Sequence, residues 1–395
     1  MALRVDRVQS TVMRAAFAGV CVAVGVLGVG LAGAADLQPP PPTRAEVEGQ
    51  MGLRSEGDLV RGQLDTVGFP VTAAQAADIV ATAVRLEGLA GGSPDEPLVG
   101  GVCPHDDHLY AARVYVHLTQ RIAAPRVLLV GVFHKAREWQ LADRVVFDSF
   151  QAWHGPWGPV AVDPLRDELI KGLDASSYVV DNAMHCREHS LEALVPFLQA
   201  ARRDVTIVPV LVPSMGWDRI DALTGEMAAA LAGAMARHGW QLGRDLAIVV
   251  SSDAVHYGDD FDHLPFGTDA EGYQRAVARD LDLARGHLEG PLAAGRLAGL
   301  LGELVEESDV RRYRIPWCGR FSIPFGLELL RKTAALSGGG VPHGTLLRYG
   351  TSLSEPQLPV AQATLDAGLG TTAPSNLHHW VGYAAVGYSL ATASP

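Results

Sequence analysis

Cysteine is scarce in this chain: four in 395 residues, at positions 21, 103, 186 and 318. With the first 35 residues set aside, three remain, an odd count too small for a disulfide scaffold, and at least one thiol is left over. Basic runs are also missing. Lys and Arg number 32 against 44 Asp and Glu, a formal charge of −12, and that balance excludes a nucleic-acid-binding surface. There is no internal repeat. The uncharged apolar run "AAFAGVCVAVGVLGVGLAG" at 15–33 has 19 residues, long enough to span a bilayer as a helix.

That run follows Arg4, Arg7 and Arg14 and precedes "AGAAD". A basic region, an apolar region and small residues in that order make a secretory signal. Its Gly and Ala content makes it weakly hydrophobic, so residues 1–35 are expected to be a cleaved signal peptide ending near Ala34 or Ala35. The alternative is a retained N-terminal membrane anchor. Val20 before Cys21 is too large for a lipoprotein signal. Removal takes away three Arg and one Asp, leaving 29 basic against 43 acidic residues, a charge of −14. The expectation is an exported protein, periplasmic or extracellular, with no stable membrane insertion once the signal is cleaved. Residues 36–45, with "LQPPPPTR", read as a stiff polyproline spacer.

What is abundant is apolar: 48% of residues. Residues 46–95 are mostly helical in pattern, clearest at "AAQAADIVATAVRLEGL". Beyond them, strand-like runs at 98–104, 126–132, 205–213 and 246–253 alternate with helical segments, including "EHSLEALVPFLQAARR". "VVFDSFQAWHGPWGPVAVD" breaks the alternation as a hairpin or excursion, and "GTLLRYGTS" and "WVGYAAVGYSLA" are late strands. Near-continuous Val/Ile/Leu strands between helices predict an α/β fold. The expected form is one domain over 46–395, with a central mixed, mostly parallel sheet flanked by helices.

Polar residues collect at the ends of those strands. The first run ends in "PHDDH", the second at His134, and the fourth at Asp253 with His256 three residues on. In a parallel sheet the carboxyl ends share one edge, where ligands bind. Topology alone therefore brings His105, His134 and Asp253/His256 together. Two His plus one anionic ligand suit non-haem Fe(II) or Zn(II). The anion is Asp253 or the thiolate of Cys318, which stands in the Gly- and Pro-punctuated loop "PWCGRFSIPFG". Cys103, inside an apolar strand, reads as a core residue. A rival site is "HCREH", matching H-x-x-E-H, with His185 and His189 as zinc ligands and Glu188 as base of a hydrolase.

"CPHDDHLYAARVYVHL", "LLVGVFHK", "EHSLEALVPFL", "VVSSDAVHYG" and "CGRFSIP" follow one another in this order. The set, over about residues 95–390, resembles the Memo-like family, also called AmmeMemoRadiSam system protein B, which is similar in fold to class III extradiol ring-cleavage dioxygenases. The resemblance implies a metal pocket of His105, His134 and Cys318, lined by Asp253 and His256, with Glu188, His189 and Glu192 supporting its wall. This chain departs from the family in carrying Asp106, Asp107 and His108 after Pro-His, and Lys135 where a second His is usual. Export would also separate it from a cytosolic radical enzyme.

The expectation is a mononuclear non-haem metalloprotein. Iron(II) is the first choice of metal, with copper or zinc as alternatives, and the chemistry is of the redox or dioxygenase type. His256 would act as acid/base and Asp253 would orient it. A protein that binds a metal, small molecule or peptide in the same crevice without turnover is the alternative. Tyr110, Trp317 and Tyr257 would serve either reading as pocket aromatics.

Overall fold

Strands buried on both faces need helices on both sides, and the sequence supplies them. The computed structural model describes residues 60–89 and 97–390, all within one compact unit. The expected signal, spacer and helical stretches at 1–59 and 90–96 lie outside the described residues. Ten strands form the central sheet: β1 (Gly100–Cys103), β2 (Arg126–Val132), β3 (Val145–Phe147), β4 (Tyr178–Val180), β5 (Thr206–Val212), β6 (Leu246–Ser251), β7 (His256–Gly258), β8 (Gly290–Pro291), β9 (Pro342–Thr351) and β10 (His379–Leu390). Their order across the sheet is β8-β9-β10-β1-β6-β2-β5-β3-β4, with β7 paired to β10.

The sheet is mixed, and its parallel part is the centre. β1, β6, β2 and β5 run together, in register at Val102↔Val250 and Val130↔Val250. The C-terminal strands and β3 join antiparallel. Alternation sorts the side chains: Leu128, Val130, Ile248 and Val250 join one core, and Val127, Leu129, Ala247 and Val249 join the other. On the second face lie α1 (Ala73–Leu86), α2 (His108–Thr119) and α3 (Val195–Ala201). On the first lie α4 (Trp217–His238), α5 (Ala270–Leu288) and α6 (Ser322–Leu336). α1 begins at a capping box, Thr72 with Gln75. α4 stops at Gly239, whose φ of +68° ends the helix without a Cβ penalty. No helix among the described residues is long and apolar enough to cross a membrane.

The N-terminal stretch differs from its helical expectation. Residues 60–72 hold a short strand, Val60–Arg61, parallel to Ala152–Trp153, followed by turns. The irregular segment at 145–163 divides: Val145–Phe147 enters the main sheet, and Ala152–Trp153 pairs with Val160–Ala161 as a hairpin beside Val60–Arg61. The helix predicted over 188–203 starts late. Residues 192–194 form a single 3-10 turn and α3 begins at Val195. The backbone ahead of it is taken up by contacts with Arg61.

Arg61 is 1% exposed, with Trp153 against its guanidinium at 4.2 Å. It donates to the carbonyls of His185 (2.9 Å), Glu188 (2.5 Å) and Gly62 (3.0 Å), and to Glu192 Oε2 (2.5 Å). Glu192 also accepts from the backbone of Leu64 and Asp65. Burial pushes the Glu192 carboxyl up while Arg61 pulls it back. This corrects one site assignment: Glu192 is used to hold the N-terminal segment and does not face the pocket.

His108 is a second correction. In the first turn of α2 it is fully buried between Phe69, Tyr115 and Phe197, and its Nε2 donates to the Ala193 carbonyl at 2.9 Å. Burial holds its pKa down at about 3, so it is a neutral core residue and not part of the lip. Asp107 also turns away from the crevice. It accepts from the Thr372 backbone (2.5 Å) and hydroxyl (3.1 Å), and burial with Asp106 nearby raises it to about 8.

Two outcomes are expected. Glu192→Ala, which strands a buried guanidinium, should cost about 3–5 kcal/mol in urea unfolding; a loss under about 1 kcal/mol would refute the anchoring role. His108 stays neutral when folded but protonates when unfolded below about pH 6.5. The unfolded state then holds more protons, and the stability linked to this residue is lost as pH falls towards about 3. His108→Phe removes that dependence. Its stability deficit relative to wild type should shrink by about 2 kcal/mol between pH 7 and pH 5, and a pH-independent difference would place the histidine elsewhere.

Candidate metal centre

β1, β6 and β2 are neighbours, and their carboxyl ends release His105, Asp253 and His134 at one sheet edge. β7 adds His256, and the loop before α6 adds Cys318. The loop is fixed by a Val255–Trp317 bridge and by the His256 N–H donating to the Pro316 carbonyl at 3.1 Å. It reaches β6 because residue 319 is glycine: a Cβ there would lie 2.1 Å from Ser252 Oγ.

The ring nitrogens are committed in a consistent way. Ser251 donates its hydroxyl to the Ser190 carbonyl (2.5 Å), so its oxygen accepts from His105 Nδ1–H at 2.9 Å. His105 Nε2 is then left buried with no hydrogen-bond partner, 3.3 Å from Asp253 Oδ2. His134 Nδ1–H donates to Glu188 Oε1 at 2.9 Å, which turns its Nε2 towards Cys318 Sγ at 3.5 Å. Fixing one imidazole nitrogen by a hydrogen bond to the other is how ligand tautomers are set. Ligand atoms of His105, His134 and Cys318 all lie within 4.8 Å of one another. Two further groups share members with this one: His134, Glu188 and His189, and Asp253, His256 and Cys318.

Charge reinforces the geometry. Burial opposes a thiolate at Cys318, yet His256 at 3.0 Å and the facing rings of His105 and His134 hold it well below the usual thiol range. Burial also opposes ionisation of Glu188, but His134 and backbone N–H donors keep it well below an ordinary carboxylate. In return, Glu188 raises His134 to about 10 against the pull of burial. Asp253 is held at about 2, against burial, by His105 and His256. It also accepts from the backbone of His105 (2.8 Å) and Asp106 (3.2 Å). Asp106 itself is raised to about 6 by burial and Asp253, and accepts from Tyr383 at 2.5 Å. His189 stacks on His134 with ring centres 5.0 Å apart, and burial lowers it to about 4. A soft thiolate and two imidazoles that present Nε2 to it, the His105 nitrogen buried without a partner, fit a soft or borderline metal ion.

Of "PHDDH", then, His105 enters the site, Asp106 backs it, and Asp107 and His108 leave it. The rival "HCREH" comes apart. Its helix, Asn182–Cys186, ends before Glu188, so His185 and His189 share no face. His185 is fully buried, donates Nε2–H to the Val146 carbonyl at 3.2 Å, and is lowered to about 3 by burial and Arg61. The zinc-hydrolase reading is overturned on that geometry. The pocket aromatics are also placed elsewhere. Trp317 Nε1 donates to Asp280 (2.6 Å), Tyr110 to the Ala373 carbonyl (3.1 Å), and Tyr257, alternating with His256 along β7, lines a separate cavity of about 340 Å³. Among the described residues no disulfide joins Cys103, Cys186 or Cys318, and Cys103 is buried in the core.

Sequence reasoning missed Ser251 and Arg61. Ser251 was accessible to it, since it is the last residue of the strand that delivers Asp253. Arg61 carries no local signal, because the partners that tie it to the site, His185, Glu188 and Glu192, lie more than 120 residues away.

Comparison with known proteins agrees with the geometry. A family profile described as Memo-like protein matches residues 91–358. A MEMO1 family protein of Ignicoccus hospitalis is 33% identical over 261 residues, 64% of this chain and 76% of that protein. Counterparts in Pyrococcus furiosus (26% over 184 residues) and Aquifex aeolicus (31% over 160) match 44% and 39% of this chain. The chain spans only a little over half the length of those two, 58% and 52%. With the profile covering well over half of its residues, the chain belongs to the Memo-like protein family.

Proposed function

We propose that this is an exported metalloprotein that binds one metal ion through His105 Nε2, His134 Nε2 and Cys318 Sγ. The observation that carries this reading is the orphaned Nε2 of His105, aimed at a thiolate and a second imidazole whose Nδ1 atoms are already spoken for by protein acceptors or absent. Iron(II) is the proposed metal, with copper or zinc as alternatives, since a thiolate in place of a carboxylate softens the set. Such an ion would supply Lewis acidity and, as iron or copper, electron transfer to oxygen or a substrate. Ring cleavage rests on fold analogy alone.

The chain's own residues do the remaining work. Glu188 and Ser251 hold the two imidazoles in one tautomer. His256 keeps a proton at Nε2, between Cys318 Sγ (3.0 Å) and Asp253 Oδ2 (3.8 Å), and can pass it to a group bound in the crevice. Asp253 orients both His105 and His256.

Metal analysis of anaerobically purified protein should give about one iron or copper per chain, with His105→Ala and Cys318→Ala both losing it. Metal that survives both substitutions would refute the site. Glu188→Gln keeps the shape but weakens the orienting charge, and should lower metal affinity about 10–100-fold. Oxygen uptake with a reductant separates redox chemistry from simple binding in the same crevice. For export, mass analysis of the mature chain should find a new N-terminus near Ala34 or Ala35; an intact Met1 in the exported fraction would favour the anchor.

A further inference from the structure

In a chain of charge −12, two cations stand beside the His/Cys cluster without carboxylate partners. Arg137 follows His134 by three residues and Arg320 follows Cys318 by two. Among the described residues neither forms an ion pair, whereas the nearby Lys135, Arg311 and Arg312 face Glu138, Asp309 and Glu306. Arg137 donates to the Arg311 carbonyl, which ties its turn to the 309–313 strand.

Arg320 is the more unusual of the two. Its one hydrogen bond runs from Nη1 to the Trp317 carbonyl at 2.9 Å. The rings of Tyr313 and Phe321 pack against the guanidinium at 4.8 and 5.5 Å. Nε is buried with no partner at all. Buried donors in a native fold are normally satisfied, so one that is not needs an explanation. The unpaired Nε–Nη2 edge is the side of a guanidinium that grips an oxyanion with two parallel hydrogen bonds. Cys318 and Arg137 are the charged neighbours that act on Arg320.

We propose that Arg320, assisted by Arg137, is the anchor for an oxyanion, a carboxylate or a phosphate, on the small molecule that enters the His105/His134/Cys318 crevice. The proposal deepens the reading of that crevice as a ligand site by giving its ligand a charge. Arg320 positions the ligand, and its guanidinium is already packed against Tyr313 and Phe321, so that binding does not have to order it.

Alkylation of Cys318 tests this directly. In the full chain kept in EDTA, iodoacetate and iodoacetamide are compared, with the modified cysteine located by peptide mass analysis. In both reactions an Sγ–C bond forms, the C–I bond breaks and iodide leaves; the reagents differ in that one carries a carboxylate. The ratio of the two rates cancels the nucleophilicity of the thiolate and reports the anchor. Arg320→Gln should lower that ratio at least about fivefold, as expected for one charge-assisted contact, and Arg320→Lys should restore part of it. Arg137→Gln should lower it by less, and it guards against misfolding of the first variant. Acetate and inorganic phosphate should each protect Cys318 better than neutral acetamide, and the stronger protector identifies the natural head group. Equal ratios in wild type and both Gln variants, or protection no better than by acetamide, would overturn the anchor. Because metal is removed beforehand, failure of the metal reading leaves this readout intact.

Discussion

One buried carboxylate organises the site. Glu188 accepts the backbone N–H of His134 (2.7 Å), His189 (2.9 Å) and Ser190 (2.8 Å) together with His134 Nδ1–H (2.9 Å). A carboxylate so fully hydrogen-bonded can stay ionised without water. It therefore fixes three things at once: the turn after β2, the turn at 188–190, and the direction of the His134 ring. Arg61 grips the Glu188 carbonyl from the other side. A segment distant in sequence thus sets the height of the carboxylate relative to the sheet.

The same logic repeats on the opposite wall. Asp253 holds the His105 backbone and lies close to the rings of His105 and His256. Behind it, Asp106 and Tyr383 form a second polar layer, and burial beside Asp253 raises the Asp106 carboxyl to about 6. His105 and His134 are each held at Nδ1 by an acceptor, which turns the Nε2 of each inward. Such a centre is rigid before any ligand arrives, and a rigid donor set is what discriminates between ions of similar size.

How much of this the sequence disclosed depends on the distance over which each feature is encoded. The four central strands were legible because burial on both faces leaves a continuous Val/Ile/Leu signature, and β2 spans the same residues as its apolar run. Strand ends then located His105, His134 and Asp253, since a parallel topology is enough to gather them. Its loop made Cys318 an alternative to Asp253, and only the family motif made it the favoured third ligand; nothing local shows that Gly319 lies against Ser252. His108, Glu192 and His185 misled for one reason. A polar residue beside a motif looks functional in one dimension, while its partners, Ala193, Arg61 and Val146, are tertiary. The turn at 188–191 read as helix because its apolar spacing is helical, and Arg61 overrides that spacing by claiming its carbonyls.

The last strand has a consequence for the order of events in the life of the chain. β10 pairs with β1 at Val386↔Val102 and with β7 at Val381↔His256. It therefore clamps together the segments that carry His105 and His256. During synthesis those segments leave the ribosome long before β10 exists, and until it docks the crevice has no closed wall. Assembly of the centre thus waits for β10. A truncated chain ending before residue 379 would carry every candidate ligand and still lack the scaffold that brings them together.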